Sequence, residues 1–209
     1  MRLLLIRHAE SEGNAQGRLQ GRKEFPLSQR GVAQATALAE RLSSIPVAAI
    51  YASPIRRALD TAEAVATRIG LTVSTDPRIQ EYDFGDKLSG LTWQEIRERE
   101  PDVVASLVSD RSEFPSYPGE EGRQAFRDRV HAAITEIVER HAADQHVAVV
   151  THAGPVIGYL MEVLGRVYSR PIPFAIDNAS ITTIEFAANP PPYQPPAVVT
   201  GINDTCHLP

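Results

Sequence analysis

Three separated stretches bring imidazole and guanidinium side chains to the ends of short apolar runs. Arg7-His8 follows residues 3–6, Ser53-Pro54-Ile55-Arg56-Arg57 follows residues 47–51, and Thr151-His152-Ala153-Gly154-Pro155 follows residues 147–150. A lone Arg-His pair carries little information. Two histidines and at least two arginines converging on one edge are a specific combination. A guanidinium matches the oxygens of a phosphate bidentately, and an imidazole can take a phosphoryl group as a nucleophile and yield it to water. The helix expected to open at Pro155 would present free backbone N–H groups to the same anion.

These residues need a scaffold that brings three chain segments to one edge. Short runs of Val, Leu and Ile that stop at small or polar residues read as strands (3–6, 47–51, 71–74, 147–150, 180–186 and 197–202). Between them apolar residues recur at helical spacing. Val32, Ala35, Leu38, Ala39 and Leu42 follow the candidate cap Ser28. Ser53, a candidate cap, and Pro54, at the first helical position, open a second helix whose stripe is Ile55, Ala58, Ala62, Val65, Ala66 and Ile69 and which Gly70 closes, and Phe126, Val130, Ala133, Ile134, Ile137 and Val138 mark a later long helix. The alternation predicts an α/β fold, a three-layer α/β/α sandwich around a largely parallel mixed sheet, in one domain spanning residues 1–209. In such sheets ligands sit in the crevice beyond the carboxyl ends of the strands, where Arg7, His8, Arg57 and His152 are expected.

Residues 76–121 interrupt the rhythm. A loop over 78–90, a helix opened by the capping box Thr92-x-x-Glu95, a second short helix over 103–108 and a Pro/Gly loop over 114–122 predict a partly helical, lid-like insertion over the active site. The proline run in residues 189–196 lies between two strand candidates and is read as a rigid connection.

With 209 residues, 43% hydrophobic and 22% charged, the composition is that of an ordinary globular protein. A net charge of -5 argues against nucleic acid as a partner, since that binding neutralises phosphates over a basic face. Cys206 is the single cysteine, so neither an internal disulfide nor a multi-cysteine zinc site can form. The first apolar run is too short for a secretory leader and no run spans a membrane, which leads to the expectation of a cytoplasmic protein without membrane partners. A homodimer is left open. No His/Asp/Glu spacing suggests a metal site, and no cofactor is expected.

Taken in order, Leu5-Ile6-Arg7-His8-Ala9-Glu10-Ser11 with Asn14, then Arg18-Leu19-Gln20-Gly21, Ser53-Pro54-Ile55-Arg56-Arg57-Ala58, Glu81 within Ile79-Gln80-Glu81-Tyr82-Asp83-Phe84-Gly85, Val150-Thr151-His152-Ala153-Gly154, and Asn178-x-Ser180 resemble the histidine phosphatase superfamily, in its phosphoglycerate mutase-like branch. The resemblance implies a metal-independent phosphatase that hydrolyses small phosphomonoesters through a phosphohistidine. It makes His8 the nucleophile and Glu81 the general acid and base. Arg7, Asn14, Arg57, His152 and Gly154 would hold the phosphoryl oxygens. Gln20, Tyr82 and His207 are candidates for substrate choice.

Physical chemistry agrees with those roles. His8 must be neutral to attack, which flanking arginines favour, and Glu81 must start protonated to help an alkoxide leave. A cofactor-dependent phosphoglycerate mutase is the alternative, disfavoured by the short insertion between Glu81 and His152. A silent phosphate-binding protein is less favoured still, because binding needs neither a nucleophile nor an acid. The family's usual Trp-Glu-Gly and Gly-Glu-Ser segments are replaced here by Asp86-Lys87-Leu88-Ser89-Gly90 and Gly119-Glu120-Glu121. These departures bear on the substrate mouth rather than on the chemistry.

Overall fold

The computed structural model describes the chain apart from residues 110–116, 167–171, 189 and 192–194, and apart from the side chains of 106–109. Strand β1 (Arg2–Arg7) is apolar on both faces. Leu3 and Leu5 enter one buried cluster, and Leu4 and Ile6 enter another. That is the signature of a central strand covered on both sides, and each fully buried Leu contributes roughly 2 kcal/mol through removal from water.

Around β1 lie β3 (Val47–Ala52), β4 (Val73–Thr75), β6 (His146–Thr151), β7 (Ile181–Phe186) and β8 (Ala197–Asp204), in the order β4-β3-β6-β1-β7-β8. The pairs β4–β3, β3–β6 and β6–β1 are parallel, and β7 is antiparallel to β1. Helices α2 (Gln29–Ser43) and α3 (Arg56–Ile69) cover the face that holds Leu4 and Ile6. Helices α7 (Arg123–Glu139) and α8 (Ala153–Val163) cover the face that holds Leu3 and Leu5. The predicted three-layer α/β/α sandwich with a mixed, mostly parallel sheet is thus observed.

Several boundaries differ from the sequence expectation. Gly70, at φ 73°, ends α3 in a left-handed cap and Leu71 donates back to Ala66, so β4 starts later than expected and runs to Thr75. Ser53 does not cap α3. Its hydroxyl accepts from Ile55 N–H at 3.3 Å, and Ile55 is the N-cap residue. Helix α8 begins at Ala153, two residues ahead of Pro155, with His152 as its N-cap residue and no capping bond from the ring.

The interrupted segment is built from a 3-10 turn (Pro77–Ile79), α4 (Gly85–Leu88), β5 (Leu91–Thr92), α5 (Trp93–Arg99) and α6 (Pro101–Ser109). The capping box of Thr92 and Glu95 is present. The sequence reading missed that β5 pairs antiparallel with β2 (Arg18–Leu19), which follows the short helix α1 (Glu12–Ala15). Two-residue strands carry no periodic signal. The segment packs around Leu88, Ile96 and Val103, with Leu19, Phe84, Leu91 and Tyr117 against them. Part of the expected Pro/Gly loop and part of the proline run lie outside the described residues.

Strand β8 is antiparallel to β7, with Ile181 opposite Asp204. Two reversals therefore return the chain to the carboxyl edge of β1. There Asn203, at φ 56°, accepts from Asp177 N–H at 2.6 Å and donates to Asp177 Oδ2 at 2.7 Å. Among the described residues no helix is long and apolar enough to cross a membrane.

Candidate active site

Strand β1 delivers His8 to the sheet edge, and the residues bound to its ring assign its tautomer. Nδ1 lies 2.7 Å from the carbonyl oxygen of Ala9, which can only accept, so Nδ1 carries the proton. Nε2 accepts from Arg57 Nε at 3.1 Å and therefore bears a lone pair. His8 is neutral for a physical reason: burial, then the charges of Arg57 and Arg7, hold its pKa well below the ordinary histidine value. His8 thus presents a neutral imidazole whose Nε2 lone pair faces the Arg57 guanidinium, with the charge of Arg7 also felt at the ring.

Those guanidinium groups are themselves fixed. Arg57, 1% exposed, sits in the first turn of α3 and donates to the carbonyls of Lys23 at 2.9 Å and Gly21 at 2.7 Å. Burial lowers its pKa to about 10, which leaves it cationic at neutral pH. Arg7 donates from Nη1 to Ile176 O at 2.6 Å, while its buried Nε has no partner among the described residues. Such a donor awaits an acceptor. His152 stands edge-on to His8, with ring centroids 5.1 Å apart, and burial followed by Arg57 keeps it neutral as well.

Glu81 follows the 3-10 turn and enters the same cavity wall. Its Oε2 accepts from Gly154 N–H at 3.3 Å and its Oε1 from Tyr82 N–H at 2.9 Å. Burial raises its pKa against the pull of Arg57, Gly154 and Arg7, so the neutral acid persists to higher pH than an ordinary glutamate allows. Gly154 admits the carboxylate because it has no side chain: a Cβ there would overlap Glu81 Oε1.

One residue that organises this site was missed by the sequence reading. Arg129 on α7 donates to the carbonyls of Arg78 (2.6 Å), Gln80 (2.8 Å) and Glu81 (3.0 Å), and grips both oxygens of Glu121. It ties the loop that carries Glu81 to α7. No pattern marks it out from Arg123 and Arg127 on the same helix. Its loss would leave three carbonyls without their donor and the partly buried Glu121 with Arg22 alone as its cation. Arg129→Ala is accordingly expected to cost about 3 kcal/mol in urea unfolding and to change kcat more than KM, because the loop that carries Glu81 loses its tie to α7.

The loop after β1 is held from behind. Asn178 Nδ2 donates to His8 O at 3.0 Å and lies 3.3 Å from Asn14 Oδ1, and Thr61 Oγ1 accepts from Ala9 N–H at 3.1 Å. Asn14 closes a capping box with Ser11, whose hydroxyl also donates to Gln20 Oε1 at 2.8 Å.

A cavity of about 650 Å³ opens over these groups. Of the residues expected from sequence, Arg7, His8, Asn14, Gln20, Arg57, Glu81, Tyr82 and Gly154 line it. His152 lies behind His8, fully buried. His207 is not among the lining residues and sits by Ala179 and Asp204 in the tail. Arg127, which the sequence reading did not single out, joins the wall from α7. Arg56 points outward and pairs with Asp60 at 3.4 Å.

The profile of the histidine phosphatase superfamily (branch 1) matches residues 3–194. The chain belongs to this superfamily. It is 35% identical over 208 residues to phosphoserine phosphatase 1 of Hydrogenobacter thermophilus, covering 100% of this chain and 94% of that protein. It is 36% identical over 186 residues to glucosyl-3-phosphoglycerate phosphatase of Mycolicibacterium vanbaalenii, covering 86% and 81%. Among solved structures, Bacillus stearothermophilus YhfR superposes with a TM-score of 0.88 at 28% identity, over 100% of this chain and 99% of that one. In this histidine phosphatase the neutral His8 lines the cavity together with Arg7 and Arg57.

Proposed function

We propose that this histidine phosphatase hydrolyses small phosphomonoesters through a phosphohistidine on His8. The observation that carries the reading is the assigned tautomer, with Nδ1–H on the Ala9 carbonyl and the Nε2 lone pair beside Arg57. An arriving phosphoryl group takes over the Arg57 Nε–H, and Arg7 Nε supplies a second donor. The Nε2 lone pair attacks phosphorus, the P–O ester bond breaks, and Glu81 gives its proton to the leaving oxygen. The imidazole keeps Nδ1–H and becomes cationic, which makes it a good leaving group in turn. Water then loses a proton to Glu81 and attacks phosphorus. The N–P bond breaks, and inorganic phosphate and neutral His8 result.

The negative charge that develops is met by fixed guanidinium groups. Activity is therefore expected to persist in excess EDTA, and a loss restored by Mg²⁺ or Zn²⁺ would overturn the metal-free reading. The segment over residues 76–121 acts in this reading as the wall that receives the leaving group.

The leaving group carries an anionic end. Arg127 lines the cavity with Nη2 on Gln124 Oε1 at 2.7 Å and a buried Nε that has no partner among the described residues. The substrates named for the two relatives above, phosphoserine and glucosyl-3-phosphoglycerate, share this chemistry, since each has a carboxylate on its leaving group. Comparing O-phosphoserine and phosphoglycerate with an aryl phosphate tests it. Arg127→Ala is expected to raise KM for the carboxylate esters by about tenfold relative to the aryl ester. An equal change in all three would remove Arg127 from substrate choice.

A further inference from the structure

We infer that Ser53 sets the tautomer of His152 and so makes that ring a hydrogen-bond donor to the phosphoryl group. This rests on the reading above that the phosphoryl group binds at His8. The argument is a count of donors and acceptors around a buried serine and a buried ring, the ring packed edge-on against His8 where the phosphoryl group is received. Ser53 and His152 are both 0% exposed, and Ser53 Oγ lies 2.8 Å from His152 Nε2. Ser53 is anchored on both sides: its N–H donates to Val150 O at 3.0 Å, two residues before His152, and its Oγ accepts from Ile55 N–H at 3.3 Å. Pro54 between them has no N–H to compete.

A serine hydroxyl has one hydrogen to give. Among the described residues His152 Nε2 is the only acceptor recorded for it, so the hydrogen goes there and Nε2 is bare. The ring proton of neutral His152 then sits on Nδ1, the nitrogen that has no partner among the described residues. A phosphoryl oxygen completes the set. In the opposite tautomer Nε2–H donates to Ser53, the buried serine hydrogen has no acceptor, and a bare Nδ1 meets a negatively charged oxygen. One arrangement leaves every group satisfied once substrate binds, and the other leaves two unsatisfied. The same logic fixes His8 through Ala9, so two adjacent rings are set in opposite roles. His8 offers a lone pair, and His152 offers a proton.

The test is nitrogen-15 NMR of the full chain labelled in histidine, at a pH where both rings are neutral. The wild type should show His152 protonated on Nδ1 and bare on Nε2, with and without inorganic phosphate. Ser53→Ala should move the ring toward Nε2–H and weaken competitive inhibition by phosphate and by vanadate about tenfold or more. Ser53→Thr retains the hydroxyl and should restore the wild-type ring state. A wild-type spectrum with His152 protonated on Nε2 would overturn the inference, whatever the variants do. Failure of the phosphohistidine reading would be seen separately, as turnover with no covalent phosphoryl adduct while the ring state stands.

Discussion

Replacing His8 by alanine is expected to lower kcat by on the order of 10⁴-fold or more. The variant should also leave no phosphoryl label on the protein when turnover is quenched. The size follows from the path: without Nε2 there is no covalent intermediate, and Arg7 and Arg57 can stabilise charge only for a direct attack by water that the site is not built to position. The label on the wild type should survive base and be lost in acid, as expected for a phosphorus–nitrogen bond. Binding of inorganic phosphate should change far less than kcat, since Arg7 and Arg57 keep their backbone anchors on Ile176, Gly21 and Lys23. A variant that turns over at the wild-type rate would remove His8 from the mechanism.

The second large effect concerns the acid. Glu81→Gln should slow alkyl phosphates by roughly 10²–10⁴-fold and aryl phosphates much less, because a phenolate departs without a proton. The sign of the pH dependence follows from the shifts. Burial raises the pKa of Glu81, so its proton is retained at low pH and is lost as pH rises through that raised value. The rate on alkyl esters should therefore fall at high pH, and Glu81→Gln should abolish that limb. His8 is held well below the ordinary histidine range, so protonation of the nucleophile limits the free enzyme only in more acidic solution. Equal losses on both ester types would assign the proton elsewhere, and Asp83 on the same loop would be examined next.

The parts of this site that could be read from sequence are those borne on strand ends. Apolar runs fix β1, β3 and β6, and the residues after them inherit the sheet's carboxyl edge, so Arg7, His8, Arg57 and His152 meet as expected. Glu81 is legible through the family motif and not through periodicity, because it lies on an irregular loop. What stayed hidden depends on contacts between segments far apart in the chain. Arg129 is one of many arginines until three carbonyls are seen to face it. Ser53 has the sequence of a helix cap, yet Ile55 takes the N-cap position, α3 starts at Arg56, and the serine hydroxyl meets His152. The tail comes back to the catalytic edge through two reversals, β7 against β1 and β8 against β7, which no local pattern announces.

Arg129 has a further consequence for how the substrate range of such an enzyme can drift over generations. Through it the acid's loop and α7 form one body, and the first turns of α7 also supply Gln124 and Arg127 to the cavity. A mutation that exchanges those side chains in place alters what is recognised and leaves the acid aligned. An insertion or a shift of the helix alters both together, and a lineage that gains a new leaving group this way loses proton transfer in the same step. The β2–β5 side is tied to the same body, since Arg22 holds Glu121 at 2.7 Å and the Phe84 ring lies against Tyr82, next to Glu81. New specificities are thus expected to accumulate as point changes of side chains that line the cavity, rather than as changes of length in the segments that carry them.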